Sequence, residues 1–463
     1  MNRKIHRIHF VGIGGAGMCG IAELLHNQGY QITGSDLGEG KNVARLRSLG
    51  VEVDVGHDRS HVGNAQVVVA SSAIHADNAE LVEARARKIP VIARAEMLAE
   101  IMRLKEGVAV GGSHGKTTTT WLIAHVLDAA GLDPTAVIGG RILGSGGEQG
   151  SARLGQGNLL IAEADESDGS FLMLSPVITV ITNIDPEHLD HYGSFEAVQE
   201  AFVHFANSVP FWGLNVVCLD HPGVQSILPR LRRRYVTYGF SPQADLSASD
   251  FAVEGAGSRF RLQSGDKVLG EVRLPLPGRH NVANALACIA VALEQGVSFE
   301  RIVAALADFG GIERRFEAKG EAAGVRVVDD YAHHPAELRA TLAAARGVHG
   351  GRIVAVFQPH RYTRTRDCFD DFATAFHDSD ALLVCDIFAA GDDPIPGVNG
   401  RALADAIAAH GHRNVRFVAS LDEIADVLPK ELTEGDLVLT LGAGDVSRLG
   451  PLLLERLSGG TLR

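Results

Sequence analysis

A chain of 463 residues, 46% apolar and poor in aromatics, has room for about three domains of ordinary size and is far above the minimum for a self-sufficient core. Its 43 lysines and arginines against 56 acids leave a formal charge of -13, which argues against non-specific affinity for nucleic acid or an anionic membrane. Five cysteines without C-x-x-C spacing exclude a disulfide framework, and no apolar run approaches spanning length, so a soluble cytoplasmic protein is expected.

The pattern opens with a strand, Ile8-His-Phe-Val, followed by Gly12, Gly14 and Gly17 in G-x-G-x-x-G spacing and a helix to about Gln28. A second strand, Gln31 to Asp36, ends on an acid at the distance where Rossmann folds grip a ribose. Alone this suggests a dinucleotide, but the fingerprint reports only a pyrophosphate on a helix N-terminus and a diol on a carboxylate, which any nucleoside diphosphate carries. Strand and helix patterns alternate through Val51–Val55, Gln66–Ser72 and Pro90–Ala93, so a doubly wound domain closes near residue 106.

The apolar run Val108-Ala-Val then breaks into Gly111-Gly-Ser-His-Gly-Lys-Thr-Thr-Thr-Thr120, with Trp121 to Leu127 continuing as a helix. Strand, glycine loop and helix form a phosphate cradle: backbone N–H groups and the helix N-terminus face the oxygens, and Lys116 adds a mobile charge. Val110 stands where the common spacing wants a glycine, so the loop is a residue short and points to a distinct class of nucleotide enzyme. The next strand, from Asn158, delivers Glu163, Asp165, Glu166 and Asp168, where a cradle of this kind holds Mg²⁺. A buried strand from Val177 opens into Asn183, Asp185, Glu187, His188, Asp190 and His191, and the two histidines lack the further ligands of a zinc site.

Strands follow at Asn215–Leu219 and Tyr235–Phe240, and Arg230–Arg234 reads as a solvated helix end. Around Ser264-Gly-Asp the pattern becomes a hairpin, a departure from the parallel arrangement. A long helix opens at Pro277, with Asn281 and Asn284 three apart on one face, suited to a base or phosphate or, for Asn281, to helix capping. After a polar joint at Gly310–Glu317, a third domain alternates through strands at Val325, Arg352, Ala381, Val415 and Asp436. Two strand-end loops carry unusual chemistry: Asp329 to Pro335, and Gln358 to Arg366, whose arginines suit a carboxylate or phosphate. Gly442-Ala-Gly444 reads as a plain turn.

Together these segments resemble the Mur ligases, the ATP-dependent amino-acid-adding enzymes of bacterial cell-wall synthesis. The resemblance rests on Gly12 to Met18, Gly34-Ser-Asp36, Ser71 to Ile74, Gly112 to Thr117, Glu163 to Asp168, His188 to His191, Gly278 to Asn284, Arg314 to Glu317, Asp330 to Pro335 and Gln358 to Arg366. It implies an α/β protein of three domains: a Rossmann-like UDP-sugar domain over 1–106, a central P-loop ATPase domain with a parallel sheet and a small antiparallel part over 107–312, and a Rossmann-like amino-acid domain over 313–463. It further implies joining of L-alanine to the lactyl carboxylate of UDP-N-acetylmuramate through an acyl phosphate, with ATP and Mg²⁺.

By matching position, Gly14, Gly15, Ala16, Gly17, Ser35, Asp36 and Ser71 are expected at the UDP-sugar. Gly112, Ser113, His114, Gly115, Lys116, Thr117, Thr118, Asn281, Arg315 and Asp330 are expected at ATP. Thr117, Glu163 and His188 should hold the metal, and Tyr331, His333, Arg361 and Arg364 should receive the amino acid. Lys116, Glu163, His188, Arg315 and His333 form the expected catalytic set, brought together by domain closure. Ser113 replaces a usual threonine, Ala79 a common proline, and no lysine lies between His188 and Pro210 to be carbamylated as in several sister ligases. The alternatives are a recycling ligase that adds a tripeptide to the same sugar nucleotide, a nicotinamide oxidoreductase built on the first domain, and a non-catalytic nucleotide-binding regulator.

Overall fold

The structure, a computed structural model, describes residues 5–71, 73–138 and 152–459, with the side chains of Ala16 and Ala152 excepted. Ser72 of the Ser71-to-Ile74 segment and the side chain of Ala16 therefore lie outside the described residues.

Short runs rich in β-branched residues, buried on both faces, make the central parallel strands, as sheets covered by helices require, while the edge strands β3, β5 and β20 are more open. The first sheet comprises β1 (Arg7–Val11), β2 (Gln31–Asp36), β3 (Glu52–Val55), β4 (Val67–Ala70) and β5 (Val91–Ala93), all parallel in the order β3-β2-β1-β4-β5. The strand order reverses between β1 and β4, which opens the crevice where ligands of such sheets bind, and the glycine turn leaves β1 beside it.

The second sheet holds β6 (Glu106–Gly111), β7 (Thr135–Val137), β8 (Ala152–Arg153), β9 (Leu159–Glu163), β10 (Ile178–Ile181), β11 (Leu214–Cys218), β12 (Tyr235–Gly239), β13 (Leu246–Glu254), β14 (Gly257–Ser264) and β15 (Lys267–Leu274). Its order is β15-β14-β13-β12-β11-β10-β6-β9-β7-β8. β6 lies between β9 and β10 and runs parallel to both, so three neighbouring strands release the phosphate loop, the acidic segment and the His188 loop at one edge. The third sheet contains β16 (Glu317–Ala322), β17 (Val325–Asp330), β18 (Ile353–Phe357), β19 (Ala381–Val384), β20 (Val415–Phe417) and β21 (Leu437–Leu441). Its order is β16-β17-β21-β18-β19-β20, with only β16 antiparallel to its neighbour.

The three-domain α/β architecture is as expected, and the hairpin around Ser264 appears as β14 and β15. Four strands escape the sequence pattern: β7, β8, β13 and β16 are short or, like Glu317-Ala-Lys-Gly-Glu-Ala322, too polar to announce themselves. By compactness the chain forms two units, Met1–Asp250 with Phe260–Val272 and Ala283–Gly310, and Phe251–Arg259 with Arg273–Val282 and Gly311–Arg463. The first sheet and strands β6 to β12 of the second fall in one unit because a single apolar core, running from Phe10 and Met97 to Leu160 and Phe202, joins them, whereas β13, β14 and β15 are divided between the two units.

Candidate active site

Where β6 ends, the chain turns through Gly112 and Gly115 into the helix Lys116–Ala129. Gly115, left-handed at φ 82, precedes the helix as its N-cap and offers no side chain to it, so the backbone rather than a side chain lines the start of the helix. Gly112 has φ 129, and a Cβ there would fall 2.1 Å from Thr182 Oγ1. Gly112→Ala is expected to lower stability by about 1–3 kcal/mol in urea denaturation and to weaken ATP binding with it. The loop is braced from β10's exit: His114 N donates to Asn183 Oδ1 at 2.7 Å, Thr182 Oγ1 donates to His114 O at 2.6 Å, and Asp185 N donates to Ser113 Oγ at 2.8 Å.

Lys116 Nζ donates to Gly112 O at 2.6 Å, to Ser113 O at 3.1 Å and to Glu166 Oε1 at 2.9 Å. Burial disfavours the charged amine, but Glu166, Asp165 and Glu187 more than offset it and raise Lys116 above an ordinary lysine. Glu166 is pushed upward by burial, with Lys116 pulling it back. Thr118 is buried and Thr117 half-buried in the helix's first turn. Asn284 Oδ1 accepts from Thr119 Oγ1 at 3.2 Å and lies against Gly115, whereas Asn281, already inside the helix Arg279–Glu294, donates back to Pro277 O at 2.8 Å and does not cap it.

Glu163 closes β9 in register with Val110, one residue short of the loop. His188, held left-handed at φ 57, places Nε2 3.8 Å from Glu166 Oε1 and 3.8 Å from Glu187 Oε2. His114 Nε2 lies 3.0 Å from Glu187 Oε1 and 3.5 Å from Asp185 Oδ2. The structure thus sets Glu166, outside the expected metal set of Thr117, Glu163 and His188, beside both Lys116 and His188. Carboxylate and hydroxyl oxygens with one histidine nitrogen are the donors a hard divalent cation prefers, so the residues fit Mg²⁺.

In the first sheet, Gly12 N and Ile13 N donate to Ser35 O at 2.9 and 3.0 Å, and Gly14 N donates to Asp36 Oδ2 at 2.7 Å. Asn42 Nδ2 caps the same turn through Gly14 O at 2.7 Å. Asp36 is therefore a brace of the glycine turn. Ser35 Oγ points away from that turn and donates at 2.7 Å to Glu80 Oε2, a carboxylate with no exposed surface. The same carboxylate meets His9 Nε2 at 3.1 Å, His57 Nδ1 at 3.3 Å and His61 Nδ1 at 3.1 Å. Gly15 precedes the helix Ala16–Asn27, Gly17 lies in its first turn, and Ser71 lines a cavity of about 250 Å³ together with Arg94.

In the third sheet β21 separates β17 from β18, so the loops leaving all three lie side by side. Asp330, at the end of β17, accepts from Phe316 N at 2.7 Å and Ala332 N at 2.8 Å, and burial raises it to about 6 against the charge of Arg315. Arg314 and Phe316 are both left-handed, at φ 60 and 49, each a local cost of about 1–3 kcal/mol that the surroundings must offset. Their effect is to set Arg314 Cζ 4.9 Å and Arg315 Cζ 5.2 Å from the Tyr331 ring centroid. Arg314 also donates to Gly442 O, and to Ala443 O at 3.4 Å, so the plain turn of the sequence is the seat of this arginine.

His333 Nδ1 lies 3.0 Å from Tyr331 O and 3.4 Å from Glu337 Oε2, with its ring 6.0 Å from that of His360. Burial, aided by His333 and the loop arginines, lowers His360 to about 4, so at neutral pH its Nδ1 accepts from Arg364 at 3.3 Å. Arg361, left-handed at φ 69, is held by Asp392 at 2.9 Å.

Three family profiles match in tandem: Mur ligase family, catalytic domain over residues 7–106; Mur ligase middle domain over 110–292; and Mur ligase, glutamate ligase domain over 314–444. The chain belongs to the Mur ligase family. It is similar to the UDP-N-acetylmuramate–L-alanine ligase of Myxococcus xanthus, 55% identical over 457 residues that cover 98% of this chain and 96% of that one. The enzyme of the same description from Sorangium cellulosum is 55% identical over 447 residues, covering 96% and 95%. Among solved structures, the UDP-N-acetylmuramate-alanine ligase from Thermotoga maritima aligns with a TM-score of 0.84 at 30% identity, covering 98% of this chain and 100% of that chain. A murein peptide ligase from Psychrobacter arcticus shares the fold at a TM-score of 0.72 and 24% identity, covering 99% and 100%.

In this Mur ligase Glu80, Arg94 and Asp392 lie outside the residues expected from the sequence, where Glu166 was only one acid among four. Glu80 and Asp392 act on residues far away in the chain, which no local spacing reveals. Arg94 carried a usable signal, since it follows β5 directly at the carboxyl edge where such sheets bind ligands.

Proposed function

We propose that this Mur ligase joins the amine of L-alanine to the lactyl carboxylate of UDP-N-acetylmuramate, driven by cleavage of ATP to ADP and phosphate, in peptidoglycan synthesis. In this reading residues 1–106 hold the UDP-sugar, 107–312 hold ATP and 313–463 hold the amino acid. The observation that carries it is the release of Lys116, the Glu163–Asp168 acids and His188 from three adjacent strands around one short glycine loop, in a chain with a separate glycine turn after β1.

A carboxylate is a poor acyl donor because its leaving group would be oxide. Attack of its oxygen on the γ-phosphorus releases ADP and yields an acyl phosphate; the amine then attacks the acyl carbon, phosphate departs and the nitrogen loses a proton. The protein's part is positional and electrostatic. Lys116 exchanges the carbonyls of Gly112 and Ser113 for phosphate oxygens, while the loop N–H groups hold the triphosphate. Thr117, Glu163 and His188, with Glu166 adjoining, would hold Mg²⁺, which neutralises charge on the transferring group. Arg315, stacked on Tyr331, supplies a further cation, and Asp330 accepts from the N–H groups of Phe316 and Ala332, the residues that follow each of them. Asn281 lies at the base. Tyr331, Arg361 and Arg364 bind the alanine carboxylate, and His333 orients the amine or takes its proton.

Among the described residues no helix is long and apolar enough to cross a membrane. We place the reaction in the cytoplasm, where both nucleotides are made. Phosphate release should require UDP-N-acetylmuramate, ATP and L-alanine together. Release that proceeds with the tripeptide and not with L-alanine would overturn the assignment, as would release that needs no amine at all.

A further inference from the structure

Arg94 opens the helix Arg94–Met102 immediately after β5, and its side chain lies across the first turn of the helix Ala16–Asn27. A Cβ on Gly17 would stand 3.1 Å from Arg94 Nη1 and 3.2 Å from its Cδ, so the third glycine of the fingerprint makes room for an arginine. The guanidinium is also one wall of the cavity of about 250 Å³, with Ser71 and Ala93 from the first sheet's edge and Asp168 and Ser170 from the turn after β9.

Charge sharpens the picture. The helix that Arg94 crosses has no acid in its first turn and no side-chain cap at Gly15. Among the described residues the acid that meets Arg94 is Asp165, and Arg94 Nη2 stands 3.6 Å from its Oδ2, longer than a hydrogen bond. Arg94 is one-quarter exposed, 24%, and lines the cavity, so donors of its fork remain within reach of a ligand. A bidentate fork beside backbone N–H groups is the arrangement that grips a phosphate oxygen pair most firmly.

We infer that Arg94 binds the diphosphate of the acceptor nucleotide, gripping it against the Gly14–Gly17 turn, with Asp165 holding the guanidinium in that direction. This rests on the proposed function, because it presumes that the turn receives a nucleoside diphosphate. The sugar then leaves the diphosphate through the cavity, past Ser71, toward Asp168 and Ser170.

The test is isothermal titration of the full-length protein with UDP, uridine and UDP-N-acetylmuramate, using wild type, Arg94→Met and Arg94→Lys. Arg94→Met should weaken UDP and UDP-N-acetylmuramate about ten- to a hundredfold, the range for losing charged hydrogen bonds, and leave uridine unchanged. Arg94→Lys should fall between, since it keeps the charge without the fork. Unaltered binding of an ATP analogue by the same variants marks intact folding. Equal weakening of UDP and uridine would reduce Arg94 to a structural role and overturn the inference. A loss confined to UDP-N-acetylmuramate would put the arginine on the sugar acid and overturn it too. Failure of wild type to bind UDP would instead sink the proposed function.

Discussion

Lys116→Met is expected to slow ADP release by about a thousandfold or more, the scale at which one preorganised charge acts on a phosphoryl transfer. In the proposed reaction the lysine is the cation that meets the phosphates, and methionine keeps its length while removing the charge. The same change touches folding, because Glu166, with 4% of its side chain exposed, loses its amine partner. Removing one member of a buried pair costs about 3–5 kcal/mol when the other stays charged. Glu166 escapes part of this cost by taking a proton, since burial already raises it. A carboxylate raised in the folded state contributes stability that is present at low pH and fades as pH rises through its folded value. The deficit of Lys116→Met should therefore be smaller at pH 5 than at pH 8. Adding Glu166→Gln should restore stability at pH 8 and leave phosphoryl transfer broken. Denaturation curves at the two pH values, beside ADP release by the single and double variants, separate the two roles; recovery of transfer in the double variant would refute the assignment of Lys116.

Glu80→Ala should cost about 3–5 kcal/mol at neutral pH, the largest stability loss expected in the first sheet. His9 is wholly buried and its Nε2 has this carboxylate at 3.1 Å; Ser35 Oγ and the Asp58 N–H use it as well. Burial alone would raise Glu80, but the hydrogen bonds of His9, Ser35 and His61 and the charge of His9 prevail and hold it at about 2. A depressed carboxylate contributes stability that is full above its ordinary value of 4.5 and lost as pH falls toward 2. Each tenfold change in proton affinity is worth about 1.4 kcal/mol, so that contribution is on the order of 3 kcal/mol. Wild type should thus lose stability steeply between pH 4.5 and 2, and Glu80→Ala should lose less over that window. Parallel acid titrations of the two proteins would tell against the network as described.

Much of the candidate site's layout was legible because its sequence signals are local. The phosphate loop, the acids after β9 and the His188 loop each announce themselves as an apolar strand breaking into polar residues, and adjacent strands do the rest. The first two strands matched their expected limits closely because Gly-rich turns punctuate them sharply. What stayed hidden depends on residues distant in sequence. No spacing rule shows that Ser35 gives its hydroxyl to Glu80, or that Asp36 spends its carboxylate on Gly14 N. The antiparallel β16 was missed because an edge strand with one wet face can be polar at alternate positions.

Arg314 shows a different kind of dependence. Its guanidinium is gripped partly by the main-chain oxygens of Gly442 and Ala443, which every amino acid possesses. Side-chain substitution at Ala443 leaves that grip chemically intact, whereas Gly442 has φ 141 and a Cβ there would fall 2.6 Å from Gln358 O, so of the two positions only Ala443 tolerates point mutation. The turn's other weakness is length: one residue inserted or deleted after Leu441 shifts the carbonyls off the guanidinium. Such a variant should keep its folded sheet and lose the ligase reaction.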